Sequence, residues 1–180
     1  MKNRPFMVRE AEEVESGCAV LLRQEAAGFS FPLHWHDYFE LEILLAGHGR
    51  HVCNGMEYPI AAGDVWLMSL CDFHAIHLDC DTTYLHIAFG KGFLPPDLES
   101  LIATQGLRHR SDPAEAEVFR SIGRELIEET NQRAPYCEDV QRLLITRLVI
   151  QLLRFSRPDP HCKTPPLHRC GFRLYPRAFS

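Results

Sequence analysis

With 180 residues, 46% hydrophobic and 24% charged, the chain has the composition of an ordinary globular domain and enough length to bury one substantial core. A formal net charge of −5 argues against nucleic-acid binding through the overall field, and the most apolar stretch, residues 143–153, is interrupted by Arg147 and Gln151 and is too short to span a bilayer. The opening Met1-Lys2-Asn3-Arg4-Pro5 lacks a signal-like apolar run, and seven scattered cysteines without a C-x2-C pair indicate neither a disulfide framework nor a zinc ribbon, so a cytoplasmic protein with reduced thiols and no membrane association is expected.

Residues 1–16 are expected to form an N-terminal arm, in which Pro5-Phe6-Met7-Val8 carries enough apolar surface to dock. Residues 17–92 read as all-β. A strand begins at 19–22, and the chain then reads Gly28-x5-His34-x-His36-x3-Glu40-x6-Gly47. Side chains on a strand alternate faces, so an extended segment would place the even-numbered His34, His36 and Glu40 together, with His74 reaching them from across a barrel. Phe39, Leu41, Ile43 and Leu45 alternate with Glu40, Glu42 and Leu44, which predicts one apolar and one mixed face. Asn54-Gly55 is a hairpin signal, Gly63-Asp64 turns the chain into Val65-Trp66-Leu67-Met68, and a last strand spans 82–89. Short strands separated by glycine turns predict a sandwich or barrel.

From residue 93 the pattern becomes helical. Pro95-Pro96-Asp97 predicts a short helix to about residue 104, and Ser111-Asp112-Pro113-Ala114-Glu115 carries the cap, proline and early acid of a helix start. Val118, Ile122 and Leu126 give that helix one stripe. Val140, Leu143, Leu144, Leu148, Leu152 and Phe155 give a second, broader one before Pro158 and Pro160 stop it, so residues 93–157 form a helical hairpin. Residues 158–180, with basic side chains and repeated breakers, are expected to be an irregular basic tail.

The residues Phe31-Pro32-Leu33-His34-Trp35-His36-Asp37-Tyr38-Phe39-Glu40-Leu41-Glu42, then Gly47-x-Gly49-Arg50-His51, Gly63-Asp64-Val65-Trp66-Leu67-Met68, Phe73-His74 and Leu85-His86-Ile87-Ala88-Phe89 resemble a known series. It is that of the N-terminal effector-binding and dimerisation domain of AraC/XylS-type transcription regulators, over residues 15–156. The resemblance implies a mainly β fold, a cupin (double-stranded β-helix) barrel followed by a C-terminal helical hairpin. It also implies a small organic effector, a sugar or an aromatic acid, inside the barrel and an arm that folds over it. A homodimer through the helical stripe is implied too, with DNA contacted only through a helix-turn-helix domain whose start the tail does not resemble. Ser69 and Cys71 depart from the second cupin motif, and Leu78 stands where an asparagine is often found, whereas His74 is kept.

The candidate effector pocket is His34, His36, Glu40, Trp66, His74, Tyr84 and His86. Within it, His34, His36, Glu40 and His74 form a set of three imidazoles and a carboxylate suited to Zn, Ni, Mn or Fe, the alternative being polar residues that bond one another or the effector. His51 and His77 are expected at the rim or surface, Trp35 on the barrel exterior, and Leu144, Leu148 and Leu152 on the dimer ridge. The competing reading is a stand-alone metal-dependent cupin enzyme, a dioxygenase, isomerase or decarboxylase. The helical hairpin, which such an enzyme does not need, argues for a regulator domain instead.

Overall fold

The computed structural model describes residues 5–9, 14, 17–104 and 106–156. The strands are β1 (Phe6–Val8), β2 (Cys18–Glu25), β3 (Ser30–His36), β4 (Phe39–Ala46), β5 (His48–Cys53), β6 (Met56–Ala61), β7 (Asp64–Met68), β8 (His74–Leu78) and β9 (Thr82–Phe89). After them come a short helix α1 (Pro96–Ile102), strand β10 (Leu107–Arg110), and helices α2 (Pro113–Gln132) and α3 (Cys137–Phe155). One sheet has the order β1-β3-β8-β5-β6 and the other β10-β7-β4-β9-β2. The two sheets close on each other as the expected cupin barrel, with the helices on the outer face of the second.

Alternation along β4 sets this layering. Phe39, Leu41 and Ile43 point outward and join Leu67, Leu85 and Ile87 of neighbouring strands in one apolar cluster with Phe119, Ile122 and Leu126 of α2 and Ile145, Leu148, Val149 and Leu152 of α3. Leu44 points inward, where it packs with Trp66, Met68 and Tyr84 of its own sheet and Ile60, Ile76 and Leu78 of the facing one. The β5–β6 hairpin turns on Asn54 and Gly55, both at positive φ (50° and 82°), the backbone that the Asn-Gly pair adopts most readily. At Gly49 the facing strand comes so close that a Cβ would collide with the His77 carbonyl oxygen. Helix α2 starts as anticipated. Asp112 accepts from the amides of Ala114 and Glu115, and Glu115 accepts from the Asp112 amide in return, a reciprocal capping box.

Three features depart from the sequence reading. First, the barrel does not end at residue 92: β10 pairs antiparallel with β7, Leu107 opposite Leu67 and Arg110 opposite Asp64, so the nominally helical stretch supplies an edge strand. Leu107-Arg108-His109-Arg110 has no apolar alternation, and the free edge of β7 recruits it. Second, Phe6–Val8 of the arm is a strand, paired parallel with β3. Third, Leu148 and Leu152 are fully buried in the chain's own core, which removes them from the expected dimer ridge, whereas Leu144 is half-buried against that core. The outward face of α3 instead carries Leu143, 70% exposed. Among the described residues no helix is long and apolar enough to cross a membrane. The tail at 158–180 lies outside the described residues, as do residues 1–4, 10–13 and 15–16 of the arm.

Candidate functional site

The chain passes from one sheet to the other at Asp37 and Tyr38, between β3 and β4. His34 and His36 therefore reach the interior from one wall and Glu40 from the opposite one. The sequence spacing grouped the right residues for the wrong reason, since alternation does not carry through a reversal between sheets. His74 opens β8 directly opposite His34 in the β3–β8 ladder. The four side chains are buried at 5% exposure or less. His36 Nε2 lies 3.1 Å from His74 Nε2 and 3.7 Å from Glu40 Oε2, and His74 Nε2 lies 3.7 Å from Glu40 Oε1. One donor atom from each of the four falls within 4.8 Å of the others.

Backbone carbonyls orient two of the rings. His34 Nδ1 lies 2.9 Å from the Pro32 carbonyl and His36 Nδ1 2.8 Å from that of Tyr38. A carbonyl only accepts, so each Nδ1 carries the hydrogen and each Nε2 keeps a lone pair. His74 Nδ1 lies 3.1 Å from His51 Nε2, and His51 is fully buried and stacked on Trp66 at 5.1 Å. This corrects the rim placement of His51: β5 pairs with both β6 and β8, and its inward parity puts His51 behind His74. His77 is half-buried and bonds Ser30 Oγ at 2.9 Å. Trp35 is half-buried beside the exposed Phe73, on the exterior as expected.

Burial disfavours the charged imidazoles. It lowers His36 to about 4 and His51 to about 3, carries His74 well below the ordinary range, and lowers His34 as well. At neutral pH these rings are uncharged, the form that binds a metal or accepts a hydrogen bond. His86, on β9, behaves in the opposite sense. Burial pulls it down, but the hydrogen bond with Glu42 and the charges of Glu40 and Glu42 more than offset this and raise it.

These groups border a cavity of about 220 Å³ between the sheets. Of the residues grouped from the sequence, His34, Glu40, His74, Tyr84 and His86 line it. His36 sits behind the wall, stacked on Tyr38 at 4.4 Å, and Trp66 forms none of it, being fully buried in the inner apolar cluster. Sequence reading missed Glu42, together with Arg23 and Glu25 of β2 and Phe29 and Phe31 at the entry to β3. Glu42 was legible from its parity with Glu40. Arg23 was not, because it enters through the β2–β9 register that sets it opposite Tyr84. The arm also reaches the cavity, through Val8 on its wall and Phe6 stacked on the His34 ring at 5.7 Å.

The four-donor set passes a geometric test for a metal. Donors about 2.1 Å from a tetrahedral ion stand about 3.4 Å apart; the separations among His36, Glu40 and His74 run from 3.1 to 3.7 Å, and with His34 included all four donors lie within 4.8 Å. Donor type agrees as well, with lone pairs held by second-layer hydrogen bonds in the way metal-binding imidazoles are held.

A family profile described as the AraC-like ligand binding domain matches residues 19–145. The HTH-type transcriptional activator RhaR of Shigella flexneri serotype 5b (strain 8401) is 28% identical over 131 residues, covering 69% of this chain and 46% of RhaR. The chain thus spans about half the length of the curated relatives it matches. Among solved structures, apo ToxT K231A of Vibrio cholerae aligns with a TM-score of 0.52 at 15% identity, covering 76% of this chain and 55% of that one. ToxT bound to (E)-4-(8-methylnaphthalen-1-yl)but-3-enoic acid aligns at 0.51 with 10% identity, covering 78% and 58%. These structural likenesses show a shared fold.

Proposed function

The chain belongs to the AraC-like ligand-binding family and is the effector-binding domain of an AraC-type transcription regulator, and we propose that its effector is a small neutral polyhydroxylated molecule, such as a sugar, held in the barrel cavity. The observation that carries this reading is the wall itself. Glu25, Glu40 and Glu42 offer hydrogen-bond acceptors to hydroxyl groups, while Phe29, Phe31 and Tyr84 offer apolar faces for ring C–H groups. An acid bearing an aromatic ring, like the one in the ligand-bound ToxT structure, would bring a further carboxylate among these three, with Arg23 as the facing cation.

In this reading His34, His36 and His74, through Nε2, and Glu40 would hold a divalent metal (Zn, Ni, Mn or Fe), which when bound supplies a Lewis-acidic anchor for an effector hydroxyl. The site senses rather than catalyses. His51 holds the His74 ring, the backbone carbonyls hold His34 and His36, and Phe6 and Val8 of the arm close against the cavity. An occupied cavity favours one placement of the arm, a population shift transmitted to the rest of a cytoplasmic regulator. The regulator pairs as a homodimer through the outward face of α3 around Leu143, and DNA is contacted by a helix-turn-helix part beyond the matched region.

Thermal unfolding of the purified chain with a panel of neutral monosaccharides and of aromatic acids of matched size tests this. A stabilising sugar is expected, worth about 2.7 kcal/mol at a hundredfold excess over Kd, and Glu42→Gln should abolish the response. Stabilisation by the acids alone refutes the proposal.

A further inference from the structure

A second group of donors faces the cavity from the helix-side sheet. Glu42 and His86 stand directly opposite each other in the β4–β9 ladder, and Glu40 precedes Glu42 by one step of the same inner face. His86 Nδ1 lies 3.3 Å from Glu42 Oε1 and 3.9 Å from Glu40 Oε2, and one donor atom of each residue falls within 4.8 Å of the others. All three are more than nine-tenths buried. A charge-assisted hydrogen bond closes to about 2.8 Å. The contact with Glu42 is a long hydrogen bond for a charged pair and lies near the spacing of about 3.4 Å at which donors stand around a shared ion, with Glu40 somewhat farther off. His86 Nε2, the ring's other nitrogen, is buried with no hydrogen-bond partner among the described residues although the residue lines the cavity, an unpaired polar atom that the described side chains leave unexplained.

We propose that Glu40, Glu42 and His86 form a second divalent-cation site. Glu40 is its shared member, with Oε1 turned toward His74 and Oε2 toward His36 and His86. Two carboxylates and one imidazole suit a hard or borderline ion such as Mn²⁺, and the coordination positions they leave open face the cavity, where water or an effector oxygen completes them. The site is independent of the effector's chemical class.

Mn²⁺ alone is the probe, because exposed thiols such as Cys71 compete poorly for it. Equilibrium dialysis of the full chain should find about two equivalents in the wild type and about one in each of Glu42→Gln, His86→Gln and His36→Ala. The electron paramagnetic resonance signal should change from coupled to isolated ions in every variant, with circular dichroism confirming that each remains folded. A single wild-type equivalent that Glu42→Gln and His86→Gln remove and His36→Ala retains supports this site and refutes the four-residue one. A single equivalent with the reverse pattern, two equivalents that survive both Glu42→Gln and His86→Gln, or no binding at all overturns the proposal.

Discussion

The two faces of β4 are equally buried and entirely different. From Phe39 to Leu44 every residue is shielded from solvent, yet Phe39, Leu41 and Ile43 pack into an apolar cluster with α2, α3 and neighbouring strands, while Glu40 and Glu42 meet imidazoles. The outer contact rests on the hydrophobic effect, which is non-directional and additive over area. The inner one holds groups that lose hydration and need particular partners in particular places. One strand thus separates the part of the molecule that keeps it folded from the part that recognises something, and a change on one side need not alter the other.

The strongest break of that separation would come from the outer layer. Leu148→Ala leaves a cavity in the fully buried core and is expected to cost about 2–5 kcal/mol in urea unfolding, with effector affinity per folded molecule unchanged. A comparable loss of affinity would mean that the two faces are coupled. The next largest effect belongs to the inner layer and is driven by acid. In the metal-free protein His36 and His51 titrate at about 4 and 3, below the ordinary 6.5 of the unfolded chain. Between those values the unfolded state takes up protons that the folded state refuses. The stability these two rings contribute is therefore present above pH 6.5 and falls as the pH drops below it, by up to about 1.4 kcal/mol per pH unit for each ring. His86, raised rather than lowered, works in the other direction, its contribution present below 6.5 and lost as the pH rises through its folded value. Urea unfolding across a pH series reads the acid slope, and His51→Phe should flatten it. The smallest effect is at the start of α2, where Asp112→Ala removes the cap for about 1 kcal/mol and leaves both the acid slope and the cavity untouched.

Local chemistry made much of this fold legible. Asn54-Gly55, the capped start at Asp112 and the alternation of β4 each encode their own geometry, and a strand falls at residues 82–89 as read, although it is not the last of the barrel. What escaped was decided by pairing. Arg108 and His109 carry no strand signal and become one because β7 has an edge to offer. His51 looks like a surface residue until β5 is flanked on both sides. The stripe on α3 showed that Leu148 and Leu152 would be buried but not against what, since a broad apolar face is the same whether its partner is the chain's own barrel or a second copy. The candidate site divides in the same way. His34, His36, Glu40 and His74 were grouped by a motif whose strand alternation the fold does not follow, whereas the contribution of Arg23 depends on the register between β2 and β9.

The pairing of β1 with β3 has a consequence for kinetics. Three residues in a parallel ladder are a small cooperative unit beside the strands of the barrel, so they can part from it at a small fraction of the free energy of global unfolding. Since Phe6 and Val8 meet residues of the cavity wall, the function proposed above would tie the residence time of a bound molecule to how often this short ladder lets go, with the carboxylates and imidazoles of the cavity contributing to its affinity. A change confined to β1 would then alter association and dissociation rates together more than the equilibrium affinity, which is how a gate differs from a binding contact.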